Sequence, residues 1–301
     1  MFKFIKKNIL IAFSLFTLVS HSQDSIKYKN HPHFYMPIKQ YVKEFGTISK
    51  KDSLQFMFKD KDTLVLLSAD KKPNSVSVQY EYRDSVFLNI YKEVVFNKSK
   101  QKKWSEKKLR MKYWKDDIKL FFDKSVSKDT KQELIKFTKE LSKNVDSLTI
   151  YEVSKKEDSN YFIYEINEKN SYRYDEKVKG KDGVNYYVNW DGRQRLYKCT
   201  LEINSLILFN KTFLKNSVIQ DFFKSLGQFY NTELLDCESI FSGCYKENNS
   251  YLTTLDLELL KYHYSFGINK GTDLLTFEEQ HAKAKKELKE HNHKMNFIHI
   301  E

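Results

Sequence analysis

Three cysteines, three prolines and eight glycines are all that a chain of 301 residues contains of these types. So little glycine and proline excludes a collagen-like, linker-dominated or glycine-rich architecture. No G-x-S-x-G elbow, phosphate loop or dinucleotide fingerprint occurs, and no internal repeat. Beyond the N-terminus no segment approaches the ~20 apolar residues that a membrane-spanning helix needs. What is present is core material: 40% of residues are hydrophobic and 15% aromatic, which excludes wholesale disorder. The length suits two ordinary domains, or one large domain with a smaller companion.

The first 22 residues read as a secretory signal peptide. Lys3, Lys6 and Lys7 form a basic start, residues 9–19 are apolar apart from Ser14 and Thr17, and Ser20-His21-Ser22 places small residues where a leader peptidase acts. Cleavage is expected between Ser22 and Gln23, leaving an exported chain, periplasmic or secreted, with no transmembrane helix. It lowers the formal charge from +12 to +9. The remaining excess is concentrated in residues 98–115, which hold nine basic residues and one acid, Glu106. This segment reads either as a patch for an anionic envelope surface or as a solvated helix face, with Trp104, Leu109, Met111 and Tyr113 on its apolar side. Export argues against nucleic acid as a partner.

In an oxidising compartment three cysteines give one disulfide and one leftover thiol, with three pairings open. The short loop between Cys237 and Cys244 favours that pair, and Cys199 is the competing partner. Cys199 has no histidine placed to make it a nucleophile, and the spacing of the three lacks the paired C-x-x-C clusters of a structural zinc site.

Along the chain, residues 37–45 read as a short amphipathic helix ended by Gly46. Residues 53–96 alternate in strand fashion: Leu54, Phe56 and Phe58, then Val76, Val78, Tyr80 and Tyr82, then Val86, Leu88 and Ile90. This predicts a small antiparallel β-rich region over 23–100, with a boundary in the lysine-rich segment. A second domain is expected over 104–273. It has a strand at 118–122, a helix started by Asp129, strands at 148–153 and 161–166, and an Asp191-Gly192 hairpin between strands 186–190 and 195–203. A long helix follows, carrying Leu214, Val218, Phe222, Leu226 and Phe229. The pattern predicts an α/β (α+β) fold with a mixed sheet and packed helices. Residues 274–301 read as a charged helix and tail, with His281, His291, His293 and His299 either as exposed polar residues or, as the alternative, as loose ligands for a transition metal.

The long helix reads Gln220-Asp221-Phe222-Phe223-Lys224-Ser225-Leu226-Gly227-Gln228-Phe229-Tyr230. Downstream come Ser239-Ile240-Phe241, then Leu252-Thr253-Thr254-Leu255-Asp256 and a helix running to Tyr262 and Tyr264. In order and spacing these segments resemble metzincin-type zinc peptidases. There a helix carries H-E-x-x-H-x-x-G-x-x-H, and a Ser-Ile-Met methionine turn forms a floor beneath the metal. The closest resemblance is to a bacterial family of secreted proteins of unknown function with a metzincin-like (zincin) fold, over residues 104–271.

The resemblance implies that Gln220, Lys224 and Tyr230 stand at the zinc-ligand positions, Asp221 at the general-base position, Gly227 at the turn and Phe241 at the methionine. An amide is a poor zinc ligand and an ammonium repels a dication. The sequence therefore leads to an exported, zinc-less and non-catalytic relative of the peptidases, with no cofactor and no catalytic residue. Its role would be binding or structural, toward another envelope protein or an anionic surface. A zinc peptidase with atypical ligands is the rival.

Overall fold

The computed structural model describes residues 35–59, 62–67, 75–100, 109–178, 183–208, 210–247 and 250–300. The expected leader, its cleavage point, His31, His33, Trp104 and the centre of the basic segment lie outside these residues. Two compact units divide between Lys72 and Pro73, and not in the basic segment.

In the first unit β1 (Tyr35–Pro37) leads into helix α1 (Ile38–Phe45) and the single-turn α2 (Lys50–Ser53). Strands β2 (Met57–Lys59) and β3 (Asp62–Leu66) follow, and the antiparallel order is β1-β3-β2. Tyr41, Val65 and Leu67 form its small core, and the Tyr41 hydroxyl donates to Asp52 at 2.8 Å. Gly46, at φ 82°, ends α1 as the sequence suggests.

The second unit opens with β4 (Ser75–Gln79), which does not join the first sheet. It pairs antiparallel with β11 (Asn296–Ile300), so the C-terminal segment is a helix and a strand tied back onto the fold, where an exposed tail was expected. Residues 85–96, expected as a strand, form helix α3 (Ser85–Phe96). The Asp84 carboxylate accepts from the N–H groups of Val86 and Phe87 and starts it. Phe87, Tyr91 and Val94 then recur at helical spacing, and the main core takes that face. This is why the division falls before Pro73.

The main sheet contains β5 (Tyr113–Trp114), β6 (Ile118–Phe122), β7 (Ile150–Glu152), β8 (Tyr161–Ile166), β9 (Val184–Trp190) and β10 (Arg195–Asn204). Its order is β5-β10-β8-β6-β7 with parallel pairings throughout, and β9 runs antiparallel on the other side of β10. This is the mixed sheet of the α/β class that the sequence predicts. Helices α4 (Lys128–Asn144), α5 (Lys211–Ser225) and α6 (Thr254–Tyr264) contribute to the core on one face. On the other face Phe162, Tyr164 and Ile166 form a small cluster with Tyr174 edge-on to the first two, and Arg173 binds the buried Glu202 carboxylate through two nitrogens.

The start of α4 is capped by Ser127, two residues before the expected Asp129. The β9–β10 hairpin is present, but its turn spans residues 191–194. Gln194, not Gly192, takes the left-handed conformation, and the Asp191 carboxylate accepts from the N–H groups of Arg193 and Arg195. The described part of the basic segment is not one helical face. Met111 and Trp114 are buried, and Lys112, 7% exposed, lies over the Trp190 ring.

Helix α7 (Leu274–His291) packs with α3 and α6 around two buried histidines. His263 Nε2 lies 2.8 Å from the Lys112 carbonyl oxygen, and its Nδ1 lies 3.1 Å from the Tyr91 hydroxyl. His281 Nδ1 lies 2.8 Å from the Phe277 carbonyl oxygen, and its Nε2 lies 2.6 Å from the Tyr262 hydroxyl. In each ring the nitrogen facing the carbonyl carries the proton and the other accepts, so both rings sit neutral. Burial lowers the pKa of His263 to about 3 and of His281 to about 4. The unfolded chain, with histidine near 6.5, then binds more protons than the folded one below that pH. Unfolding free energy should therefore fall as pH drops from about 6.5 toward 4, by about 1.4 kcal/mol per pH unit for each histidine. Urea titrations at several pH values check this, and His281→Gln should flatten part of the slope. A stability independent of pH over that range would contradict it.

Candidate functional site

Helix α5 starts at Asn210, whose side-chain oxygen accepts from the Phe213 N–H at 3.0 Å. Val218, Ile219, Phe222 and Phe223 bury one side of it. The opposite side is polar. Asn216, Gln220 and Lys224 succeed each other one turn apart, with Ser217 and Asp221 beside them, and all five line a cleft of about 690 Å³. Asn185 and Tyr186 of the edge strand β9 form a second wall. Asn231 and residues 243–246 form the third.

The residues at the zinc-ligand positions of the resemblance are engaged inside the protein. The Gln220 amide donates to the carbonyl oxygens of Ile240 at 3.0 Å and Ser242 at 2.6 Å. The Lys224 ammonium forms an ion pair with Asp221 at 2.9 Å, both side chains largely buried. Tyr230 is half-buried and does not line the cleft. Its N–H donates to the Val94 carbonyl of α3, and burial raises its hydroxyl pKa, which disfavours a phenolate. Tyr186 is raised further, by burial and then by the Asp221 charge.

At the end of α5 the left-handed residue is Gln228, at φ 53°, where Gly227 was the expected turn residue. Gly227 answers a different need. A Cβ there would stand 2.4 Å from the Phe229 ring and 3.0 Å from His263 Nε2. The last carbonyls of the helix are taken up by the Trp114 indole N–H, which reaches Ser225, and by the Tyr264 hydroxyl, which reaches Leu226. Tyr264 is one of the tyrosines that the resemblance places at the end of the following helix.

Residues 239–241 are buried directly behind Gln220. Asp256, with no exposed surface, holds them there: it accepts from the Ser239 hydroxyl at 2.5 Å, the Ile240 N–H at 3.2 Å and the Thr253 N–H at 2.9 Å. The Thr253 hydroxyl oxygen in turn accepts from the Asp256 N–H, completing the box that caps α6. The disulfide joins Cys237 to Cys244 across this segment, as the short-loop reading favours, and Cys244 reaches the cleft. Cys199 is the leftover thiol. It is fully buried, and burial pushes its pKa up to about 12, so it is a core residue.

These donors do not fit zinc: one offers amide hydrogens already given to carbonyls, one an ammonium bound to a carboxylate, one a neutral phenol outside the cleft. Among the described residues no three His, Cys, Asp or Glu side chains group as a metal site. His281 is core, whereas His291 and His293 are exposed at the end of α7. Asn216 and Ser217 were legible as the preceding turn of the helix stripe. Asn185, Tyr186 and Asn231 carried no signal, because they reach the cleft from other elements.

Two changes test the loop that backs the cleft. Cys237→Ser with Cys244→Ser should lower unfolding free energy by about 2–3 kcal/mol, the expected worth of closing so short a loop. Asp256→Ala should cost roughly 3 kcal/mol or more, because it leaves three buried donors without an acceptor. Urea denaturation measures both, and losses below about 1 kcal/mol would contradict the roles assigned here. No protein-family model matches this chain, and no curated protein does.

Proposed function

We propose that the chain is an exported, non-catalytic binding protein of metzincin-like descent, and that the cleft beside α5 is its ligand-binding surface. The observation that carries this reading is the use made of Gln220 and Lys224. One holds the loop behind the cleft and the other neutralises Asp221, so neither is free to hold a metal, and Asp221 is no longer a free base. Of the rest of the lining, Asn216, Ser217 and Asn231 carry amide and hydroxyl groups that donate and accept, beside the apolar Ile207, Leu208 and Phe213, which suits a neutral polar ligand such as a peptide segment or a glycan. The contact between Gln220 and the loop at residues 239–242 also supports the kinship, since the resemblance implies a loop in that place. No helix among the described residues is long and apolar enough to cross a membrane.

Metal analysis of untagged protein should find well under one zinc per chain, with no chelator-sensitive proteolysis. Gln220→His with Lys224→His should not create that activity. One tightly held zinc that disappears in Asp221→Ala would overturn the non-catalytic reading. Binding to a peptide or glycan array should be lost in Ser217→Trp, which fills the cleft, and binding that survives this change would overturn the choice of surface.

A further inference from the structure

A second cavity, of about 460 Å³, lies between the first halves of α4 and α5, where the strands β8 and β10 end. It falls in the size range of small-molecule sites, and the carboxyl ends of parallel strands are where open α/β sheets hold ligands. Leu134 of α4 and Leu214, Val218 and Ile219 of α5 give it an apolar wall. Among the charged groups on the lining, Glu165 is the one that is buried.

Glu165 is 4% exposed. Alternation along β8 directs Tyr161 and Ile163 into the main core, and Glu165 follows them on the same side. Its Oε2 accepts from the Ser127 N–H at 2.9 Å, while Oε1 has no hydrogen-bond partner and the carboxylate has no ion pair among the described residues. Oε1 is not a sealed atom, so water reaches it from the open cavity, and a ligand that donates to it takes that water's place.

The other charges on the lining favour a cation. Lys215 is held by Glu133 at 3.4 Å and Glu247 at 2.8 Å, which leaves Asp129 and Glu165 against Lys211. At the start of α4 the Ser127 N–H is given to Glu165 and the Thr130 N–H to the Ser127 hydroxyl oxygen, and the Asp129 carboxylate stands beside them. We propose that this cavity binds a small cationic amphiphile, with its apolar body on Leu134, Leu214 and Val218 and its amine donating to Glu165.

Octylamine and octanoate, titrated separately into the purified protein by calorimetry, test this. Octylamine should bind saturably at one site per chain, and octanoate at least about 10-fold more weakly. Glu165→Gln keeps an acceptor for Ser127 and should cost octylamine about 10- to 100-fold in affinity, the worth of a charged hydrogen bond. Leu214→Trp, which fills the cavity from a half-buried position, should abolish binding while the protein stays folded by circular dichroism. Equal affinity for the two probes, no saturable binding of octylamine, or unchanged binding by either variant would overturn the proposal.

Discussion

The carboxylate of Asp256 is the interaction on which the candidate site depends. Three donors converge on it from two segments, the start of α6 and the loop after the disulfide's first cysteine, 16 and 17 residues earlier. A charged acceptor without water is tolerable only when it is saturated in this way, and once saturated it fixes whatever supplies the donors. The loop thus fixed presents two carbonyl oxygens to Gln220. The helix, the loop and α6 are set by one another, and the cleft inherits its shape from that arrangement.

On the proposed reading, this chain keeps a peptidase-like frame while hydrogen bonds and a covalent crosslink do the work a metal would do. A zinc ion draws several segments together at one point and leaves a reactive position open. Here the same segments are joined by an amide to two carbonyls, an ammonium to a carboxylate, and a disulfide. Each of these bonds satisfies its partners and leaves no open position. That difference in chemistry separates a binding surface from a catalytic one.

Where one element's own periodicity decides its structure, the sequence was readable. The polar stripe and apolar side of α5, the short strands β6 and β8, and the hairpin at Asp191 were all visible in the residues themselves. Residues 85–96 misled because Val86, Leu88 and Ile90 alternate as a strand would, while Phe87, Tyr91 and Val94 carry the helical repeat that the core selects. Partnerships across the chain were not readable. Nothing in residues 75–79 names residues 296–300 as their partner, and nothing in Asn185 or Tyr186 says that an edge strand will bring them beside α5. Of the site, the polar stripe with Gln220, Asp221 and Lys224 was legible, but not that Gln220 and Lys224 would find partners within the protein. Glu165 carried no signal either, because the donor it meets comes from another element, at the start of α4.

The pairing of β4 with β11 constrains the order of events when the chain is made. Residues 75–79 emerge from the ribosome long before residues 296–300, and their ladder cannot form until the later segment is present. Synthesis proceeds at about 5–20 residues per second, so the earlier strand waits at least ten seconds or so with its edge unpaired. During that wait the nascent chain lacks its final closure, and a chaperone meets it in an open form.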